Sequence, residues 1–100
     1  MFARVSSYRA GDADRLLDGF NMVTAELERI DGFSHAYFLV DRASGKAMSV
    51  TIWNSEEAMT ESSRQADELR KRGTEAGRGA IESVEQFEIG LTVGTPSNVT

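Results

Sequence analysis

Apolar residues recur in steps of three and four at Ala13, Leu16, Leu17, Phe20, Val23, Leu27 and Ile30. That spacing lays one stripe along a helix and predicts a single helix over residues 12–30. Asp12 supplies an N-terminal cap and Asp31-Gly32 a stop. Before it, residues 2–8 (Phe-Ala-Arg-Val-Ser-Ser-Tyr) form a short β-rich run closed by Arg9-Ala10-Gly11. After it, residues 32–40 and 46–53 are two strand-like runs joined by Asp41-Arg42-Ala43-Ser44-Gly45, a short polar connection with a glycine suited to a hairpin. A second helix is predicted from Ser55 to about Gly73, with Ala58, Met59, Ser62, Ala66 and Leu69 on a thin inner stripe of small residues. Such a stripe either lies close against the sheet or leaves a space above it. The glycine-rich stretch 72–79 ends or loosens that helix, and residues 81–93 form the last strand region.

The junction Thr51-Ile52-Trp53-Asn54-Ser55-Glu56-Glu57-Ala58-Met59 is the most informative stretch. A β-branched strand ends in tryptophan and runs straight into a helix start, where Asn54 can cap the first turn and Glu57 can reach back to it. Glu56 and Glu57 sit where the helix dipole favours negative charge. The resulting order, strand-helix-strand-strand-helix-strand, is the ferredoxin-like α+β arrangement: a four-stranded antiparallel sheet with two helices on one face. Residues 1–93 are expected to form that single domain and residues 94–100 a flexible polar tail.

Both hairpin strands read as nearly continuous apolar runs, which implies burial on two faces. Two helices cover only one, so the second face is expected to meet another subunit. If the hairpin loop spans residues 42–46, Ala36, Phe38 and Val40 share a face with Met48, Val50 and Ile52. The other face then holds Phe33, His35, Tyr37 and Leu39 beside Ala47, Ser49, Thr51 and Trp53. A one-residue change in loop length would exchange these sets.

Composition narrows the function classes. The chain has 100 residues, 40% hydrophobic and 27% charged, the size and make-up of one globular domain. Sixteen acidic against eleven basic residues give a net charge of -5, which disfavours a nucleic-acid surface. The basic cluster Arg64, Arg70, Lys71, Arg72 and Arg78 is interleaved with Asp67, Glu68 and Glu75 and reads as a solvated helix face. No apolar run approaches the ~20 residues of a membrane span. The absence of cysteine removes disulfides, thiolate metal sites and a cysteine nucleophile, and suits a reducing cytoplasm. A soluble cytoplasmic protein is expected, without nucleic-acid or membrane partners.

The step Ile30-Asp31-Gly32-Phe33, the hairpin Leu39-Val40-Asp41-Arg42-Ala43-Ser44-Gly45-Lys46 and the Trp53-Asn54-Ser55-Glu56-Glu57 junction together resemble the antibiotic biosynthesis monooxygenase-like proteins of the dimeric α+β barrel superfamily. The resemblance spans about residues 2–91. It implies a homodimer whose two sheets face each other as a barrel, with a pocket between each sheet and its own helices. Members of the superfamily oxidise quinols or polycyclic phenols with dioxygen and no cofactor, degrade haem, isomerise lactones, or have no assigned activity. The haem degraders carry an asparagine on the first strand and a tryptophan and a histidine along the second helix. This chain has none of these there; Ser62, Ser63 and Arg64 occupy the helix positions.

His35 is the only histidine and the side chain best suited to moving protons near neutral pH. Tyr37 shares its strand parity, so both point to one side. If that side lines the pocket, the pair can deprotonate and orient a phenol or quinol; if it lines the dimer barrel, both are packing residues. Trp53 can stack a flat ligand or serve as core. Arg4 and Tyr8 share a face of the first strand. The candidate site is therefore His35 and Tyr37 as catalytic groups, with Trp53, Ser62 and Tyr8 contacting a small aromatic ligand, and with no metal and no cofactor. Three functions stay open: a cofactor-independent monooxygenase, a non-catalytic homodimeric small-molecule-binding or stress-related module, and haem binding, the least favoured. In the first, His35→Ala should abolish dioxygen uptake.

Overall fold

The computed structural model describes residues 1–94; the expected tail, from residue 95 onward, lies outside the described residues. The elements are β1 (Phe2–Arg9), α1 (Ala13–Asn21), α2 (Thr24–Glu28), β2 (Phe33–Asp41), β3 (Lys46–Trp53), α3 (Glu56–Glu61), α4 (Ser63–Ala76) and β4 (Ala80–Glu88). The four strands form one antiparallel sheet in the order β2-β3-β1-β4. The fold is the expected ferredoxin-like α+β arrangement with helices on one face.

Each expected helix is broken once. The first divides at Met22-Val23, where the Val23 amide bonds back to the Phe20 carbonyl at 3.0 Å and the Thr24 hydroxyl donates to the Asn21 carbonyl at 3.0 Å. Hydroxyl back-bonding of this kind competes with the helix ladder. The second divides at Ser62. There the Met59 carbonyl accepts from the Ser62 hydroxyl at 2.8 Å and from the Arg4 guanidinium at 2.7 Å. Its cap also differs from expectation. Ser55, not Asn54, accepts the Ala58 amide at 3.1 Å, because Asn54 is still tied to the sheet end through its amide to the Gly32 carbonyl. Asp12 caps α1 as expected, accepting from the Asp14 and Arg15 amides.

The glycine-rich stretch does not end the second helix at Gly73: α4 runs to Ala76 and uses Gly73 for packing. A β-carbon on Gly19 of α1 would stand 2.3 Å from the Gly73 carbonyl oxygen, so the two helices cross almost backbone to backbone. The last strand ends at Glu88 rather than near residue 93. Beyond the bond from the Ile89 amide to the Met1 carbonyl, Leu91 is 82% exposed.

The hairpin register differs by one residue from the expected one. Asp41 pairs with Lys46, so the connection holds four residues rather than five. Asp41 favours the tighter turn: its carboxylate accepts the Ala43 and Ser44 amides, and those bonds together with the Ser44 hydroxyl hold its pKa below the ordinary carboxylate value. The face assignment changes accordingly. Ala36, Phe38 and Val40 stand opposite Thr51, Ser49 and Ala47, while His35, Tyr37 and Leu39 stand opposite Ile52, Val50 and Met48. An irregularity between Phe33 and His35 puts Phe33 against Trp53.

The helix-side face carries the core. One cluster gathers Val23, Leu27, Ile30, Trp53, Met59 and Leu69; a second gathers Tyr8, Ala10, Leu16, Phe20 and Ala47; Phe38 packs against both. Among the described residues nothing forms a layer over the opposite face, and Tyr37, Leu39, Met48 and Phe87 are exposed on the sheet.

Candidate ligand-binding cavity

Strand β1 alternates in an unexpected sense. Its small apolar residues Ala3 and Val5 lie on the open face, and the polar Arg4, Ser6 and Tyr8 point under the helices. The reason is visible on the neighbouring strand. Antiparallel partners share a face, and Arg4, Ser6 and Tyr8 pair with Thr51, Ser49 and Ala47, on the same side as the fully buried Trp53.

These polar residues line a cavity of about 30 Å³ between the sheet and α1, α2 and α4. Arg4, Ser6, Tyr8, Ser49, Thr51 and Arg70 supply its polar wall, and Phe20, Leu27, Phe38 and Leu69 much of the rest. That volume has room for about two water molecules. The thin stripe of the second helix explains the space: Ala66 lines the cavity where a larger residue would fill it.

Arg4 dominates the site. It is 2% exposed, and one guanidinium nitrogen, Nη2, donates to the Met59 carbonyl at 2.7 Å and the Ser63 hydroxyl at 3.2 Å. Its guanidinium carbon lies 5.4 Å from the Trp53 ring centroid, a cation–π distance. The other nitrogen, Nη1, is buried and has no hydrogen-bond partner among the described residues. Burial, then the charge of Arg70, pushes the Arg4 pKa down, against a smaller opposing effect of Asp67. The guanidinium nevertheless stays charged at any ordinary pH.

Tyr8 is also buried, with its hydroxyl 2.8 Å from the Ser49 hydroxyl. Burial raises its pKa, only partly offset by hydrogen bonds from Ser49 and Ser6. Tyr8 is therefore a neutral phenol at physiological pH, a donor or acceptor but not a base. Its ring packs on Phe20 at 4.9 Å, and Phe20 stacks on Phe38 at 4.9 Å. The Arg70 side chain is only 9% exposed and pairs with Asp67 at 2.6 Å. It is thus not part of a solvated basic face; Arg64, Lys71, Arg72 and Arg78 are the exposed members of that cluster.

The other expected site residues are dispersed. His35 and Tyr37 pack edge to face at 5.5 Å, but on the side of the sheet away from the helices, where Tyr37 is 49% exposed. His35 Nδ1 lies 2.8 Å from the Ser34 hydroxyl. His35 also borders an open groove of about 410 Å³ along the β2 edge, together with Thr24, Glu28 and Ser34. Leu27 and Phe38 line both this groove and the inner cavity and so separate them. Trp53 packs under Arg4 rather than lining the cavity, its indole N–H donating to the Thr51 hydroxyl at 3.0 Å. Ser62 is buried with its hydroxyl committed to the helix backbone. Of the residues expected to bind or act, only Tyr8 is in the cavity.

Among the described residues, no three His, Cys, Asp or Glu side chains come together as a metal site, and no helix is long and apolar enough to cross a membrane.

No family model matches the chain. Two uncharacterized proteins of Mycobacterium tuberculosis, from strains CDC 1551 / Oshkosh and H37Rv, are each 37% identical over 70 residues, covering 69% of this chain. The chain spans about a third of their length, 31%. Among solved structures, SnoaB, a cofactor-independent oxygenase from Streptomyces nogalater, superposes with a TM-score of 0.72 at 17% identity, over 94% of this chain and 97% of that one. A candidate antibiotic biosynthesis monooxygenase from Bordetella bronchiseptica gives 0.68 at 14%, over 90% and 97%. The haem degrader MhuD from Mycobacterium tuberculosis, solved with two haems bound, gives 0.70 at 21%, over 94% and 100%. The chain shares the fold of the antibiotic biosynthesis monooxygenase-like proteins, as its strand-to-helix junction implies.

Proposed function

We propose that the chain binds a small oxygenated aromatic, a quinol or phenol, with its oxygen held in the helix-side cavity, and oxidises it with dioxygen without a cofactor. The observation that carries this reading is the cavity itself, a space lined by the aromatic Phe20 and Phe38 and by the polar Tyr8, Ser49 and Arg4. Oxidation of an electron-rich aromatic asks the protein for a dry site, orientation and stabilisation of negative charge on the substrate oxygen. Tyr8, kept neutral by burial, is the orienting donor. The substrate supplies the electrons. A ring C–H carbon para to a phenolic hydroxyl becomes a quinone carbonyl, one oxygen atom of O2 entering the product and the other leaving as water with the ring and phenolic hydrogens. The likeness in fold to a cofactor-independent oxygenase supports this chemistry. Purified protein should therefore consume dioxygen with a dihydroxyanthracene faster than buffer does. Uptake equal to buffer across several quinols would remove the oxygenase reading.

A second reading, binding without turnover, is favoured by a specific feature of the same wall. Arg4, Tyr8 and Arg70 are its titratable groups, and none is a base at neutral pH. Haem is the weakest candidate, since the second helix carries no histidine.

The same proposal includes a cytoplasmic homodimer. The uncovered sheet face, with Leu39, Met48, Val50 and Phe87 beside His35 and Tyr37, is apolar enough to form a subunit interface. Sedimentation should give twice the monomer mass; a stable folded monomer at micromolar concentration would contradict it.

A further inference from the structure

We infer that the helix-side cavity recognises a compact anionic oxygen group, a carboxylate or a phenolate, through the free Nη1 of Arg4. This rests on the cavity being the ligand site, but not on any oxidation there.

A buried guanidinium is tolerated when an anion or a full set of acceptors replaces its water. Arg4 has neither. Its partners, the Met59 carbonyl, the Ser63 hydroxyl and the Trp53 face, are all uncharged. The other charged group on the cavity wall is a second cation, Arg70, whose own partner Asp67 is 61% exposed. The cavity wall therefore carries two cations and no anion; Asp67, which is not on the wall, is paired with Arg70. A trapped water would satisfy one N–H of Nη1 but leave the charge. An anionic oxygen answers both, with the Ser6 hydroxyl and one member of the hydrogen-bonded pair Tyr8 and Ser49 around the same space as further donors.

Size limits what enters. About 30 Å³ holds a head group, not a ring system. The body must lie beyond the Leu27–Phe38 partition, in the groove of about 410 Å³ along the β2 edge. Leu27 and Phe38 line both spaces, so they are the residues that must shift to join them. The ligand is accordingly a flat aryl anion, its head at Arg4 and its body against Phe38.

The test uses benzoate, 4-nitrophenolate and the neutral isostere benzamide, titrated calorimetrically into the whole chain with amide chemical shifts followed in parallel. At least one anion should bind tenfold or more tighter than benzamide, shifting Ser6, Tyr8 and Phe38; the tighter of the two anions identifies the head group. In Arg4→Met that preference should disappear. Equal binding of benzamide and both anions overturns the inference. So does the absence of any anion binding, anion shifts confined to the open sheet face, or an undiminished preference in a folded Arg4→Met. If Arg4→Met does not fold, the comparison on the unaltered protein decides alone. Dioxygen uptake is not read in this experiment, so its outcome stands apart from that of the oxygenase proposal.

Discussion

Replacing Trp53 with alanine is expected to remove about 3–5 kcal/mol of stability, the usual range for a fully buried tryptophan. Trp53 is completely inaccessible and is the largest side chain in the core. It holds three things at once. Its ring meets Phe33 edge to face at 5.5 Å, which secures the irregular start of β2. It packs with Met59 and Leu69, which seats α3 and α4 on the sheet. It also lies under the Arg4 guanidinium. The truncation therefore opens a void and removes one of the few groups that compensate a buried charge. A domain of this length is stabilised by only about 5–15 kcal/mol in all, so the variant should unfold at a much lower denaturant concentration. A loss below about 1 kcal/mol would mean that Trp53 is not the keystone described.

Gly19→Ala should also destabilise, by about 1–3 kcal/mol, as overpacking does. The sign is the informative part, because alanine in place of glycine within a helix ordinarily gains about 0.5–1 kcal/mol. Here the added β-carbon would stand 2.3 Å from the Gly73 carbonyl oxygen and 2.7 Å from the Gly77 amide nitrogen. Those atoms are backbone and cannot rotate aside, so α1 and α4 must separate. Gly11→Ala, where nothing lies within 4 Å of the new carbon, is the control and should be nearly neutral. Denaturant midpoints of the two variants measure the contrast.

Periodicity and turn chemistry make the architecture legible in the sequence, because element order, the Asp12 cap and the bounds of Lys46–Trp53 are set by local residues. Register is not local in that sense. The pairing of Asp41 with Lys46 depends on the Asp41 carboxylate closing a tighter turn, and that pairing decides which side chains of the two strands share a face. The two helix breaks are equally hidden, since each depends on a hydroxyl choosing a backbone carbonyl over solvent.

The site was the least legible part. Arginine in an alternating strand, like Arg4, or among mixed charges on a helix, like Arg70, ordinarily marks a wet face. The signals that existed were the shared parity of Arg4 and Tyr8 and the thin stripe of the second helix, which together describe a polar strand face under a helix that leaves space. His35 drew attention by its chemistry alone, and the fold sets it on the other side of the sheet.

The central claim is that ligand chemistry belongs to the Tyr8 side of the sheet. Dioxygen uptake with a dihydroxyanthracene, compared between Tyr8→Phe and His35→Ala, tests it most directly. Loss of one well-placed donor to a developing oxyanion costs about a hundredfold or more in rate. Tyr8→Phe should therefore lower the uptake about a hundredfold while keeping the fold, and His35→Ala should leave it within a few-fold of the unaltered protein. Uptake abolished by His35→Ala and untouched by Tyr8→Phe would place the chemistry on the open face and contradict the account.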